Sequence, residues 1–138
     1  MKDTFRGAFG IGNSNFIKTR GSYPLATLSL GEKLILKTSY IIYTKTYSFN
    51  PSEVLIKLKY NCFYIIHNEA NYPSYICFTP INAIALYNLL RENNVYIEGK
   101  PSLVLQFFIK AFHIFFFTFF FIFILAFIAI VGYSIYKS

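Results

Sequence analysis

Residues 114–136 read IFFFTFFFIFILAFIAIVGYSIY, with no charged side chain among them, and no other stretch limits the chain's possible folds so strongly. A helix that crosses a bilayer core of about 30 Å needs roughly 20 apolar residues at about 1.5 Å each. The run meets that length, and its only polar side chains are Thr118, Ser134, Tyr133 and Tyr136. A Ser or Thr hydroxyl can bond the carbonyl one turn back, so Thr118 and Ser134 do not disqualify it. Residues 103–112 are also apolar apart from Gln106 and Lys110, and His113 stands between them and the span. A helix over 103–136 is about 50 Å long, longer than the core. Two spans would need roughly 17 residues each plus a turn, and no Gly, Pro or Asn interrupts the run before Gly132. One long membrane-anchoring helix is therefore expected over 103–136. Its first turns would lie in the headgroup zone or in water, with Gln106 and Lys110 on one face.

The flanking charges suggest how the chain sits. Lys100, Lys110 and His113 on one side of the span and Lys137 on the other are candidate membrane-surface contacts. Two lysines against one favour a cytosolic body by the positive-inside tendency. The opening MKDTFRGAFGIGNSNFIKTRGS has no uninterrupted apolar segment of the signal-peptide kind, which agrees with that orientation. The phenylalanine-rich span carries no seam of small residues, so self-association has no positive signal and the oligomeric state stays open.

At 138 residues there is room for one small domain besides the anchor. The formal charge is +7, but Lys and Arg are dispersed along the chain. Dispersed charge describes a solvated surface, or one drawn to an anionic leaflet. Nucleic-acid binding requires a basic stripe or a motif, and neither occurs. Cys62 and Cys77 do not make a disulfide framework. Pairing 63–68 against 75–79 sets Cys77 opposite a residue near Ile65, so free, packed thiols are expected.

Along the chain, residues 1–22 contain Gly7, Gly10, Gly12 and Gly21 with Asn13 and Asn15, and read as a flexible arm tacked down by Phe5, Phe9 and Phe16. Gly10-Ile11-Gly12 lacks the further glycine or the Gly-Lys-Ser/Thr that a phosphate loop needs. Period-two alternation begins near Tyr23, with Ala26, Leu28 and Leu30 on the apolar face. Gly31-Glu32 turns the chain into a returning strand over 33–37. β-prone runs follow at 40–43, 45–49, 54–59, 63–67 and 75–78, and within 54–59 Val54, Ile56 and Leu58 alternate with Leu55, Lys57 and Lys59, a half-buried strand with charge on its wet side. Thr79-Pro80 then reads as a helix start, Ile81, Ala85 and Leu89 with Leu86 and Leu90 as its apolar face, and Asn93-Asn94 as its end. Residues 95–99 read as an extended exit and 99–102 as a linker.

Strands followed by one amphipathic helix define an α+β, mainly β, domain over 23–98. The segments Tyr23-Pro24-Leu25-Ala26-Thr27-Leu28, Tyr47-Ser48-Phe49 with Ser52-Glu53-Val54, Ile65-Ile66-His67 and Tyr72-Pro73-Ser74-Tyr75-Ile76-Cys77-Phe78 resemble small uncharacterised bacterial PH-like (pleckstrin-homology-like) domain proteins, over about residues 23–94. The resemblance implies a curved antiparallel sheet or open barrel closed by a C-terminal helix, here followed by a single transmembrane helix. It implies no activity. Phosphoinositide-binding members of the fold carry a dense basic motif on the first hairpin; Lys33, Lys37 and Lys45 lack its tight Lys-x-Arg element.

Little in the sequence points to catalysis. His67 and Glu69 form the one close His–carboxylate pair, with Tyr72 and Ser74 across the same loop, and these four are the candidate loop site. They lack further metal ligands, and Ser74 is the nearest nucleophile. The bland reading is a strand-end histidine bonding the loop backbone. The six acidic residues are mutually isolated, which gives paired-carboxylate chemistry no support. No cofactor or metal is expected, and the chain does not read as an enzyme. Two functional readings remain. One is a non-catalytic interaction module for a protein, a peptide or the membrane surface, held to the bilayer by its C-terminal helix. The other is a small membrane-active or regulatory factor of phage or toxin type, whose span does the work.

Overall fold

The computed structural model describes residues 3–13 and 16–138, excluding the side chains of residues 16–18. It divides into two compact units, Met1–Gln106 and Phe107–Ser138. The first unit is a mixed α+β domain built mostly of strands. In chain order these are β1 (Asp3–Asn13), β2 (Phe16–Leu30), β3 (Leu34–Ser39), β4 (Thr44–Phe49), β5 (Leu55–Lys59), β6 (Cys62–Ile66) and β7 (Tyr75–Pro80). Helix α1 (Ala83–Glu92) and strand β8 (Tyr96–Glu98) follow, and then α2 (Leu103–Lys137) begins.

The eight strands form one open sheet in the order β4-β3-β2-β1-β7-β6-β5-β8. Every pairing is antiparallel except β5–β8. The sheet curls strongly. β4 lies five strand spacings from β6, about 24 Å if the sheet were flat. Yet the Phe49 ring of β4 is 5.2 Å from the ring of His67, the residue after β6. A large bulge supplies part of the bend. Gly7 pairs with Ala26 and Phe9 with Gly21, so residues 22–25 of β2 stand opposite Ala8 alone.

The alternating strands place one face inward. Leu28, Leu34, Leu36, Phe49, Ile56, Phe63, Ile65, Ile76 and Phe78 are fully buried, and Ala83, Leu86 and Leu90 of α1 pack with them. The expected burial of Ala26, Leu28 and Leu30, and of Val54, Ile56 and Leu58, is observed. Both cysteines are free, and Cys77 pairs with Tyr64, one residue from the expected position.

Four expectations are corrected. Residues 3–13 are not a flexible arm but a central strand joining two meanders, with β2 on one side and β7 on the other. Gly7 serves close approach: a Cβ there would strike the Thr79 carbonyl and the Phe78 ring. Phe9 is buried and Phe5 packs at the core's margin. Lys2, Asn15 and the Phe16 side chain, part of the same expected arm, lie outside the described residues. Residues 40–43 are a hairpin loop, because β3 and β4 pair up to Ser39 with Thr44 and the chain then reverses between Tyr40 and Tyr43. Thr79-Pro80 completes β7, and α1 is instead capped by Asn82, whose Oδ1 accepts from Ala85 N–H. The later start moves the buried stripe to Ala83, Leu86 and Leu90. Residues 95–99 are more than an exit, since Tyr96–Glu98 adds a parallel edge strand to β5.

Helix α1 ends as its sequence suggests. Asn94 takes the left-handed conformation at φ 58°. Val95 N–H then reaches the Leu90 carbonyl and Asn94 N–H the Arg91 carbonyl, which closes a Schellman motif.

Helix α2 has 35 residues and no buried side chain, and it is long and apolar enough to cross a membrane. Thr118 Oγ1 donates to the Ile114 carbonyl at 2.8 Å, so its hydroxyl is satisfied within the helix.

Residues 99–102 are fixed to the domain. Asn61 is 1% exposed, and its amide holds both main-chain groups of Ser102: Ser102 N–H donates to Oδ1 (2.8 Å) and Nδ2 donates to the Ser102 carbonyl (3.0 Å). Ser102 Oγ caps α2 by accepting from Leu105 N–H. Gln106 Oε1 accepts from Ile84 N–H at the start of α1. Gly99, at φ 97°, lies where a Cβ would strike the Leu58 carbonyl.

Candidate functional site

The described candidate residues begin with the loop between β6 and β7. Glu69 N–H donates to His67 Nδ1 at 3.1 Å, so the ring proton resides on Nε2, which donates to the Pro73 carbonyl at 2.9 Å. Both nitrogens are thus engaged by the loop's own backbone. His67 also packs on Phe49 and Tyr72, and Tyr72 stands edge-on to Tyr47 and Phe49. The four loop residues do not converge. Glu69 is exposed, Tyr72 turns toward β4, and Ser74 lines a different recess. Among the described residues no group of three His, Cys, Asp or Glu could hold a metal ion.

What the loop builds instead is a wall opposite β4. Tyr72 Oη accepts from Ser48 N–H at 3.2 Å, so that amide faces away from β3. At the other end of the hairpin Tyr40 N–H donates to the Tyr43 carbonyl at 2.7 Å. An antiparallel ladder alternates hydrogen-bonded and non-bonded pairs. Pairs 40/43, 38/45, 36/47 and 34/49 are therefore the bonded ones, and the main-chain groups of Thr44, Thr46 and Ser48 point outward from the sheet edge.

Ser48 is covered by Tyr72, while the edge at Lys45, Thr46 and Tyr47 opens on a cleft of about 510 Å³. Ala70, Asn71, Tyr72 and Pro73 form the far wall. A smaller recess of about 190 Å³ shares Asn13, Lys45, Tyr47 and Pro73 and adds Thr19, Tyr40 and Tyr43. Tyr40 and Tyr43 stack at 4.6 Å, and Lys45 Nζ lies 6.0 Å from the Tyr43 ring centre. Burial, followed by the neighbouring Tyr40, Tyr43 and Tyr72, pushes the Tyr47 phenol up to about 12. The cleft thus offers main-chain groups, neutral phenols and one ammonium.

A second recess of about 600 Å³ lies on the outer face of β5, β6 and β7, lined in part by Lys57, Lys59, Tyr64, Ile66, Tyr75 and Glu98. Lys57 and Glu98 bridge at 3.6 Å across its margin, but both are about half exposed and contribute little. Burial and then a hydrogen bond with Tyr64 raise the Tyr75 phenol, and burial and then nearby Cys62 raise the Cys77 thiol.

The expected membrane-surface residues lie around α2. Lys100 precedes it and is exposed. Lys110 is exposed on the helix, His113 Nδ1 donates to the Ile109 carbonyl, and Lys137 Nζ lies over the Tyr133 ring. The sequence reading missed Tyr40, Tyr43, Lys45, Tyr47 and Asn61. The tyrosine spacing in YIIYTKTY was the available signal, hidden by reading 40–43 as strand.

Comparison with known protein families, curated proteins and solved structures found no match. Fold and site define a class: an open, curled, strand-rich α+β domain followed by one long apolar helix that is a candidate membrane span.

Proposed function

We propose that this chain is a non-catalytic interaction module of PH-like architecture, held on the cytosolic face of a membrane by α2, which binds an extended protein segment along the edge of β4. The observation that carries this reading is the outward main chain of β4 at Thr44 and Thr46, opening on the tyrosine-lined cleft. Strand addition draws affinity from main-chain hydrogen bonds and specificity from side-chain pockets on the flanking walls. The PH-like part is supported by seven antiparallel strands followed by a helix over the core. The cytosolic side is supported by Lys100 and Lys110 ahead of the span against Lys137 behind it.

The test is selection of peptides on the full chain in lipid nanodiscs. Selected peptides should protect the Thr44 and Thr46 amides from exchange. Thr46→Pro removes an outward N–H without breaking the β3 ladder. Losing one main-chain hydrogen bond, about 1 kcal/mol, should weaken binding about fivefold, and more where the ring blocks approach. Unchanged binding by folded Thr46→Pro would rule out the edge as the docking strand.

A further inference from the structure

The cleft along β4 is one-sided in charge. Among the described residues that line it or the adjoining recess of about 190 Å³, Lys45 is the one charged side chain. Among the described residues the one ion pair joins Lys57 and Glu98, so Lys45 has no carboxylate partner. The neighbouring sequence supplies none either, since residues 33–52 contain no Asp or Glu. The Lys45 ammonium stands 6.0 Å from the Tyr43 ring centre.

The recess is also rich in donors. Tyr40 and Tyr47 both line it, and their hydroxyls are hydrogen-bonded to each other. Two phenols carry two protons and that bond uses one, so the other is left for an acceptor. Burial keeps Tyr47 neutral, so it adds no negative charge of its own. Asn13 and Thr19 add an amide and a further hydroxyl. One ammonium among neutral donors is complementary to an anion of single charge. A phosphorylated side chain carries nearly twice that charge and is recognised by arginine clusters, and no Arg is among the described lining residues.

The strand pattern brings a bound side chain to this place. Lys45, Tyr47 and Phe49 alternate with Thr46 and Ser48 and share one face of β4. Tyr47 and Phe49 are buried, so that face turns to the core. Side chains level with each other across a ladder stand on the same face. In an antiparallel segment bonded to the outward main chain of Thr44 and Thr46, the residue level with Lys45 falls in a non-hydrogen-bonded pair, where side chains approach most closely. Its side chain therefore turns toward the tyrosine recess beside Lys45.

We propose that the segment bound by β4 is acidic, with an Asp or Glu level with Lys45 whose carboxylate pairs with Lys45 Nζ and accepts from the Tyr40–Tyr47 hydroxyl pair. This rests on the reading that the β4 edge is the docking strand. Main-chain bonds to Thr44 and Thr46 then supply affinity for extended segments in general, and the Lys45 recess selects among them.

The probe is a displayed library of random nonapeptides, selected on the full chain in phosphatidylcholine nanodiscs. Parent and Lys45→Glu are compared, Lys45 being exposed. Selected peptides are resynthesised with both ends blocked, so that no terminal carboxylate can replace a side chain. The expected result is Asp or Glu at one position of the parent's peptides, and Lys or Arg at that position in those selected by Lys45→Glu. Changing the acid to its amide should weaken binding to the parent about fivefold and leave binding to Lys45→Gln unchanged. Peptides with no fixed acidic position that Thr46→Pro still weakens would keep the docking strand and overturn the acidic proposal. Acid-rich peptides that bind parent and Lys45→Glu alike would be answering the chain's overall positive charge, and also overturn it. Binding that Thr46→Pro does not weaken, or no selected peptide at all, overturns both readings.

Discussion

Replacing Asn61 tests how the domain holds the start of α2. The side chain makes two hydrogen bonds to Ser102 from a buried, left-handed position, φ 58°. A neutral hydrogen bond contributes about 1 kcal/mol net, which gives about 2 kcal/mol for the pair. Alanine adds the left-handed penalty of roughly 1–2 kcal/mol, which Asn largely escapes and Gly avoids. Asn61→Ala should therefore lose about 3–4 kcal/mol and Asn61→Gly about 2 kcal/mol or slightly less. Urea-dependent pulse proteolysis of the full chain in vesicles reads both values. If both variants remain within about 0.5 kcal/mol of the parent, as neutral surface changes do, the clamp contributes nothing and the reasoning is wrong. If Ala and Gly are equal, the torsional part of the argument fails.

Three further outcomes are expected. Tyr47 stays neutral up to about 12, whereas an unfolded tyrosine ionises near 10. Its contribution to stability should thus be full below pH 10 and lost as pH rises from there toward 12; a Tyr47→Phe difference titration by ultraviolet absorbance checks this, and an ordinary phenol value contradicts it. Tyr72→Phe keeps the aromatic packing but leaves Ser48 N–H without its acceptor, so stability should fall by about 1 kcal/mol while the β4 edge gains a donor and binds extended peptides more tightly. Urea titration and peptide binding would read the two effects. Gly99→Ala places a Cβ against the Leu58 carbonyl at positive φ and should cost about 2 kcal/mol with weakened β5–β8 pairing; protection of the Glu98 amide reports the pairing, and unchanged protection refutes it.

Much of this architecture was legible because burial imposes period. Alternation at Ala26, Leu28 and Leu30 and at Val54, Ile56 and Leu58 marked strands, and the uncharged run marked α2. The misreadings have a shared cause, since each depended on partners distant in sequence. Gly7 looks like a breaker until Phe78 and Thr79 are laid across it. Tyr40-Ile41-Ile42-Tyr43 has strand propensity, but pairing of Ser39 with Thr44 makes it a loop. The candidate site was legible only in part. The placement of His67 and Tyr72 on one loop was evident, and so was the bland role of His67. The cleft was not, because it depends on the sheet curling until β4 meets that loop. The Asn61 and Gln106 contacts join residues far apart, which no local pattern announces.

The most direct test is hydrogen exchange of the full chain in lipid nanodiscs, read along residues 107–137. Amides over 114–131 should stay protected for hours. Exchange of 114–131 as rapid as an exposed loop would contradict a helix solvated by hydrocarbon, and with it the membrane anchorage on which the proposed function depends.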